Sequence, residues 1–141
     1  MPTFNESLRV LIVDDSLVSR QVISLSMRGK SVSLVDMAAN GKKARDMIDS
    51  AHILGKPYHI IFLDWDMPIM PGIEVLRFFR AQPQFATTAF VMVTAMSVKG
   101  QVMEAIKAGA TAYLVKPVSQ AVIDKKFDEI VAWLQKRWPD P

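Results

Sequence analysis

The chain has 141 residues, half of them hydrophobic, which is enough for a full apolar core, and a single domain over 1–141 is expected. Its 17 Lys and Arg against 14 Asp and Glu leave a formal charge of +3 with no dense basic run, a balance that speaks against nucleic acid as a partner. The absence of cysteine excludes a disulfide framework, a thiol nucleophile and thiolate metal ligation, and neither a signal-peptide core nor a run of about 18 apolar residues is present. The expected setting is therefore the cytoplasm, away from membranes.

Residues 8–13 (LRVLIV) form the first short, apolar, β-branched run and predict a strand. A segment of helical spacing follows over 16–28, with Ser16 placed to cap it and Gly29 to end it. The second strand-like run, 32–37 (VSLVDM), is more mixed and reads as a sheet edge, and the next helical segment covers 41–53, before Gly55 and Pro57. The runs 59–63 (HIIFL) and 89–93 (AFVMV) are apolar on both faces; between them lies a helical segment at 72–81, with Pro83 in the connection. A helix over 98–108, closed by Gly109, leads to a fifth run at 111–115 (TAYLV), and Ser119 opens a last helix to about 137. Ile123, Phe127, Ile130, Leu134 and Trp138 fall on one stripe of that helix and are expected to pack on the core, and the closing WPDP is expected to fray. Five alternations of strand and helix around doubly apolar strands predict an α/β fold, a doubly wound five-stranded parallel sheet with helices on both faces.

In an open parallel sheet, ligands bind beyond the carboxyl ends of the strands, near the point where strand order reverses. Asp14 and Asp15 follow the first run, Asp64 and Asp66 the third, Thr94 the fourth, and Lys116 and Pro117 the fifth. Each alone has a plain structural reading: an aspartate leading into a helix, a threonine cap, a surface lysine. Four such placements at one sheet edge argue for a site. Carboxylates about 5 Å apart repel by about 3 kcal/mol per pair at an effective dielectric of 20, which one lysine does not offset. A divalent cation does, and an all-oxygen ligand set suits Mg²⁺ with positions left for a phosphoryl oxygen. His52 and His59 lie elsewhere, and His59, within a strand, is expected to pack.

The motifs LIVDDS, IIFLDWDMPIMPG, VMVTA and AYLVKP resemble, in order and spacing, those of the receiver domain of two-component response regulators, and the likeness extends from residue 8 to about 135. The resemblance implies a flavodoxin-like (βα)5 fold, of the stand-alone type similar to chemotaxis regulators. It makes Asp64 the acceptor of a phosphoryl group from a sensor histidine kinase or phosphotransfer protein. It also implies Mg²⁺ as the cofactor, held by Asp15 directly, Asp14 mainly through water, Asp64, and the backbone carbonyl of Asp66. Lys116 would pair with the phosphoryl group, and Thr94 and Tyr113 would form the conformational switch. The domain would catalyse only its own phosphorylation and dephosphorylation, and would signal to a separate target through the face made by the fourth predicted helix, fifth strand and fifth helix. The Lys116–Pro117 peptide is expected to be cis. Three departures from the family pattern stand out: acidic Asp66, Met96 two residues after Thr94, and Pro71 before Gly72. The first two flank the path of hydrolytic water in the family and bear on the lifetime of the phosphoryl group.

Two other readings compete. FLDWD is also similar to the D-x-D strand end of haloacid-dehalogenase-like phosphatases, but in that family the further acidic pair follows the D-x-D strand, whereas Asp14 and Asp15 precede it by about fifty residues. A receiver-shaped interaction module that is never phosphorylated is the second, and the joint presence of Asp14, Asp15, Asp64, Thr94 and Lys116 argues against it. Among the tryptophans, Trp65 is expected at the rim of the site, and Trp133, off the core stripe, is either a candidate partner contact or a cover for the helix edge.

Overall fold

The structure, a computed structural model, describes residues 2–95 and 99–138. Five parallel strands, β1 (Arg9–Val13), β2 (Leu34–Ala38), β3 (Ile60–Asp64), β4 (Ala89–Thr94) and β5 (Ala112–Val115), form one sheet in the order β2-β1-β3-β4-β5. Six helices accompany them: α1 (Phe4–Ser7), α2 (Leu17–Gly29), α3 (Gly41–Ile53), α4 (Gly72–Arg80), α5 (Lys99–Ala108) and α6 (Gln120–Gln135). The five predicted strands and five predicted helices are present in order, with the mixed second run at an edge. The predicted tail after Trp138 and Met96 lie outside the described residues.

Two short elements were not anticipated: α1 and a 3-10 turn at Pro83–Phe85. Neither is long enough to show an apolar period. The sequence does carry a sign of α1, the spacing Thr3-x-x-Glu6, and the Thr3 hydroxyl accepts the Glu6 backbone N–H at 3.2 Å. Ser16, Asn40 and Ser119 cap α2, α3 and α6 in the same way.

Strand alternation divides the core into two layers. Leu11, Val13, Ile61, Leu63, Phe90 and Met92 pack with Ile48 of α3, Phe79 of α4 and Ala105 of α5. Val10, Ile12, Ile60, Phe62, Val91 and Val93 pack with Ile23 and Met27 of α2 and with Ile123, Phe127, Ile130 and Leu134 of α6. The sheet is therefore covered on both faces, which is why its central strands read as unbroken apolar runs. Trp138 lies just past α6 yet packs on the same layer, its indole N–H donating to the Thr87 carbonyl at 2.6 Å and its ring edge-on to His59. His59 is buried, and its Nδ1 accepts the Arg9 backbone N–H at 2.9 Å, the packing role expected of it.

The register sets up the site. Val13 is level with Leu63, Asp64 with Val93, and Thr94 with Val115. The residues that follow, Asp14 and Lys116, are thereby delivered to the edge where Asp64 and Thr94 end their strands. The reversal of strand order falls between β1 and β3, where the two acidic strand ends stand side by side.

Candidate functional site

Asp14 and Asp64 are buried, 1% and 3% exposed, and Asp15 is exposed; oxygens of the three carboxylates lie within 4.8 Å of one another. The Lys116 ammonium reaches over them, 3.0 Å from Asp14 Oδ2 and 3.4 Å from Asp64 Oδ2. Asp14 Oδ2 has no hydrogen bond of good angle, so its contact with Lys116 is an ion pair rather than a directed bond. Asp14 Oδ1 accepts the Ser16 backbone N–H at 2.8 Å, which fixes the turn from β1 into α2.

Burial pushes the Asp64 carboxyl up to about 7, the charge of Asp14 adds to this, and Lys116 opposes it. Asp15 raises it further because the two carboxyls are close enough to share a proton. For Lys116, burial alone would lower the ammonium, but its hydrogen bond and charge interaction with Asp14, joined by Asp64, outweigh burial and hold it above its ordinary value. One cation among three carboxylates leaves a net negative, partly desolvated cradle. Its donors are all oxygens, and a buried carboxylate oxygen at its centre lacks a directed partner. These residues fit a hard divalent cation such as Mg²⁺.

Asp66 follows in the connection to α4. Its side chain is exposed and outside the acidic group, while its backbone N–H donates to Asp64 Oδ1 at 3.3 Å and so lies beside the carboxylate. Thr94 is fully buried at the end of β4, and its carbonyl accepts the Lys116 backbone N–H at 2.7 Å. Tyr113, half-buried on β5, is hydrogen-bonded to the Thr94 side chain. Burial raises the Tyr113 phenol, against that hydrogen bond, and the charge of Asp66 adds to the rise. The two expected switch residues are thus in direct contact. The Lys116–Pro117 peptide is cis.

The two tryptophans fare differently against expectation. Trp65 is only 8% exposed and belongs to the core layer under α3 and α4, because alternation from Asp64 points it into the opposite face rather than to an open rim. Trp133 is half-buried against the α6 layer, with the Arg137 guanidinium 3.9 Å over its ring, so it covers the helix edge.

Sequence reasoning missed three positioning residues. Arg20, one turn into α2, donates from Nη1 to the Asp14 carbonyl and ties the acidic turn to the helix. Gly72 opens α4 so close to β3 that a Cβ would lie 2.1 Å from the Asp64 carbonyl oxygen, and its N–H donates to the Trp65 carbonyl at 3.0 Å. Gly41 meets the same connection from the other side, where a Cβ would lie 2.6 Å from the Met70 carbonyl oxygen. Both glycines allow three backbone segments to converge behind the carboxylate.

A parallel β2-β1-β3-β4-β5 sheet with helices on both faces and its polar site at the reversal point is a doubly wound, flavodoxin-like α/β fold, and sequence comparison narrows the class. Residues 10–128 match the response regulator receiver domain, so the chain belongs to that family. It is similar to the chemotaxis protein CheY-3 of Vibrio cholerae, 30% identical over 89% of this chain and 93% of that protein. It is also similar to the chemotaxis protein CheY of Pseudomonas aeruginosa, 32% identical over 87% of this chain and 95% of that protein. The structure of the chemotaxis response regulator CheY4 of Vibrio cholerae superposes with a TM-score of 0.77 at 30% identity, covering 87% of this chain and 98% of the other. The (βα)5 receiver fold is therefore established, and family membership removes the haloacid-dehalogenase-like reading.

Proposed function

We propose that the chain is a response regulator that accepts a phosphoryl group on Asp64 and passes the signal on by a change of conformation. The observation that carries this reading is the convergence of Asp14, Asp15 and Asp64 within 4.8 Å, with Lys116 paired to two of them. An Asp64 oxygen attacks the phosphorus of a phosphohistidine on a sensor kinase or phosphotransfer protein, a P–O bond forms, and the P–N bond breaks with its electron pair leaving on the imidazole. The ionised carboxylate needs no general base. Lys116 meets the incoming phosphoryl oxygens with positive charge, and the turn fixed by Ser16 and Arg20 holds Asp14 and Asp15 in place.

Asp14, Asp15, Asp64 and the backbone carbonyl of Asp66 would hold Mg²⁺, which would supply charge neutralisation at the phosphoryl oxygens. The added dianion draws the Thr94 hydroxyl toward it, which breaks the Thr94–Tyr113 contact and lets Tyr113 turn inward. The surface that reports this to a downstream protein is the face of α5, β5 and α6. The chain thus acts only on itself, as a phosphoprotein of the cytoplasm, with no turnover of a separate substrate. Asp66, exposed beside the site, bears on how long the phosphoryl group lasts. Incubation with a small-molecule phosphodonor tests the reading by intact mass: one phosphoryl group is expected, dependent on Mg²⁺ and absent from Asp64→Asn. Equal modification of Asp64→Asn overturns it.

A further inference from the structure

Between the C-terminal half of α4 and the flank of α5 lies a cavity of about 730 Å³, none of whose lining residues belongs to the acidic cluster. Arg77, Arg80 and Lys107 bring three positive charges to it and Glu104 one negative, a net of +2. Gly100, Met103 and Ala108 complete the α5 wall, and Met103 is 45% exposed, an apolar surface beside the charges.

The two arginines are in different states. Arg77 already holds a carboxylate: its Nη2 donates to Glu104 Oε2 at 2.7 Å, with both side chains about half exposed. Arg80 is fixed by neutral partners only. Its Nε donates to the Gly109 carbonyl at 2.8 Å, Nη1 to the Phe85 carbonyl at 2.7 Å, and Nη2 to the Thr111 hydroxyl at 2.9 Å, with the guanidinium 4.8 Å over the Phe90 ring. Among the described residues no carboxylate pairs with Arg80 or with Lys107. Each nitrogen of Arg80 already donates within the fold, so Arg80 adds fixed positive charge to the groove wall, and the exposed Lys107 is the cation placed to reach a ligand.

We propose that this groove docks an acidic segment of a partner protein. One carboxylate of the segment takes the place of Glu104 on Arg77, a second faces Arg80 and Lys107, and an aliphatic side chain between them covers Met103. The built-in Arg77–Glu104 pair shows that the groove seats a carboxylate, and the apolar wall suits a peptide side chain rather than a phosphodiester strand. The groove uses the flank of α5 turned to α4, so it is separate from the face that runs from α5 to β5 and α6.

The test uses the full, unphosphorylated chain at low ionic strength, with a fluorescein-labelled peptide of Glu, Leu and Ser as the probe and a Lys, Leu and Ser peptide as control. Saturable anisotropy is expected with the acidic peptide alone, with backbone amide shifts concentrated at Arg77–Ala81 and Gly100–Ala108. Glu104→Gln removes the internal competitor and is expected to tighten binding about two- to fivefold, the range of one exposed ion pair. Arg77→Glu with Lys107→Glu is expected to weaken it about fivefold or more, and circular dichroism checks that these exposed substitutions leave the fold intact. Absence of binding, amide shifts confined to other elements, or a Glu104→Gln protein that binds no more tightly overturns the proposal.

Discussion

Asp64 stands between opposed fields, burial and Asp14 favouring its protonated form and Lys116 its ionised form, with the balance at about 7. The sign of the resulting pH dependence follows from linkage. Because the folded-state value lies above the ordinary 3.8, the native state keeps this proton while the unfolded chain loses it. The stability it contributes is fully present below the ordinary value and is lost as pH rises toward about 7. We expect the metal-free protein to lose stability across that window relative to Asp64→Asn, measured as the difference between their melting temperatures at each pH. Mg²⁺ competes with the same proton, so its affinity is expected to rise with pH over this range, with proton release visible by calorimetry in buffers of different ionisation enthalpy. Asp15→Asn relieves repulsion at an exposed position; we expect the metal-free protein to gain about 1 kcal/mol and to bind Mg²⁺ more weakly. A metal-free Asp15→Asn protein that melts lower would show that repulsion does not govern the cluster. Asp14, Asp64, Thr94 and Lys116 were legible because each ends or directly follows a strand, and a parallel sheet carries all such residues to one edge. Arg20 was not, since its hydrogen bond to the Asp14 carbonyl depends on a rotamer rather than on a spacing.

The connection from β3 to α4 carries local backbone strain. Ile69, a β-branched residue three-quarters exposed, has φ +74°. Asn tolerates that conformation, so Ile69→Asn is expected to stabilise the protein by about 1 kcal/mol in chemical denaturation, with no apolar burial of consequence lost. Gly72 at the end of the same connection allows no such freedom. A Cβ there would lie 2.1 Å from the Asp64 carbonyl oxygen, so Gly72→Ala must shift β3 or α4, and we expect a loss of about 3 kcal/mol with weaker Mg²⁺ binding. The strands and long helices were readable from periodicity. The close approaches at Gly72 and Gly41 were not, because they join segments remote in sequence whose distance depends on the finished packing of α3 and α4 on the sheet. The 3-10 turn at Pro83–Phe85 escaped for a different reason, being a single turn with no period to detect.

At the scale of the whole molecule, two apolar layers hold the sheet rigid while the chemistry stays at the carboxyl ends of its strands. Among the described residues no helix is long and apolar enough to cross a membrane. Trp133 bridges the two concerns, since it covers the α6 layer and also borders a small cavity with Thr111 and Lys126 on the expected partner face. Trp133→Ala is expected to cost about 2 kcal/mol from lost packing; an unchanged denaturation midpoint would contradict that packing role. The doubly wound topology and the edge position of β2 were legible from the apolar runs and the mixed second run, whereas the burial of Trp65 was not, because a residue just past a strand end can turn either to the rim or into the opposite layer. The central claim is that Asp64 is the phosphoryl acceptor. Treating the phosphodonor-exposed protein with borohydride, which reduces an aspartyl phosphate to homoserine, and sequencing its peptides by tandem mass spectrometry locates the modified residue. The account predicts homoserine at position 64 alone and only when Mg²⁺ was present; homoserine at Asp14, Asp15 or Asp66 with position 64 unchanged would contradict it.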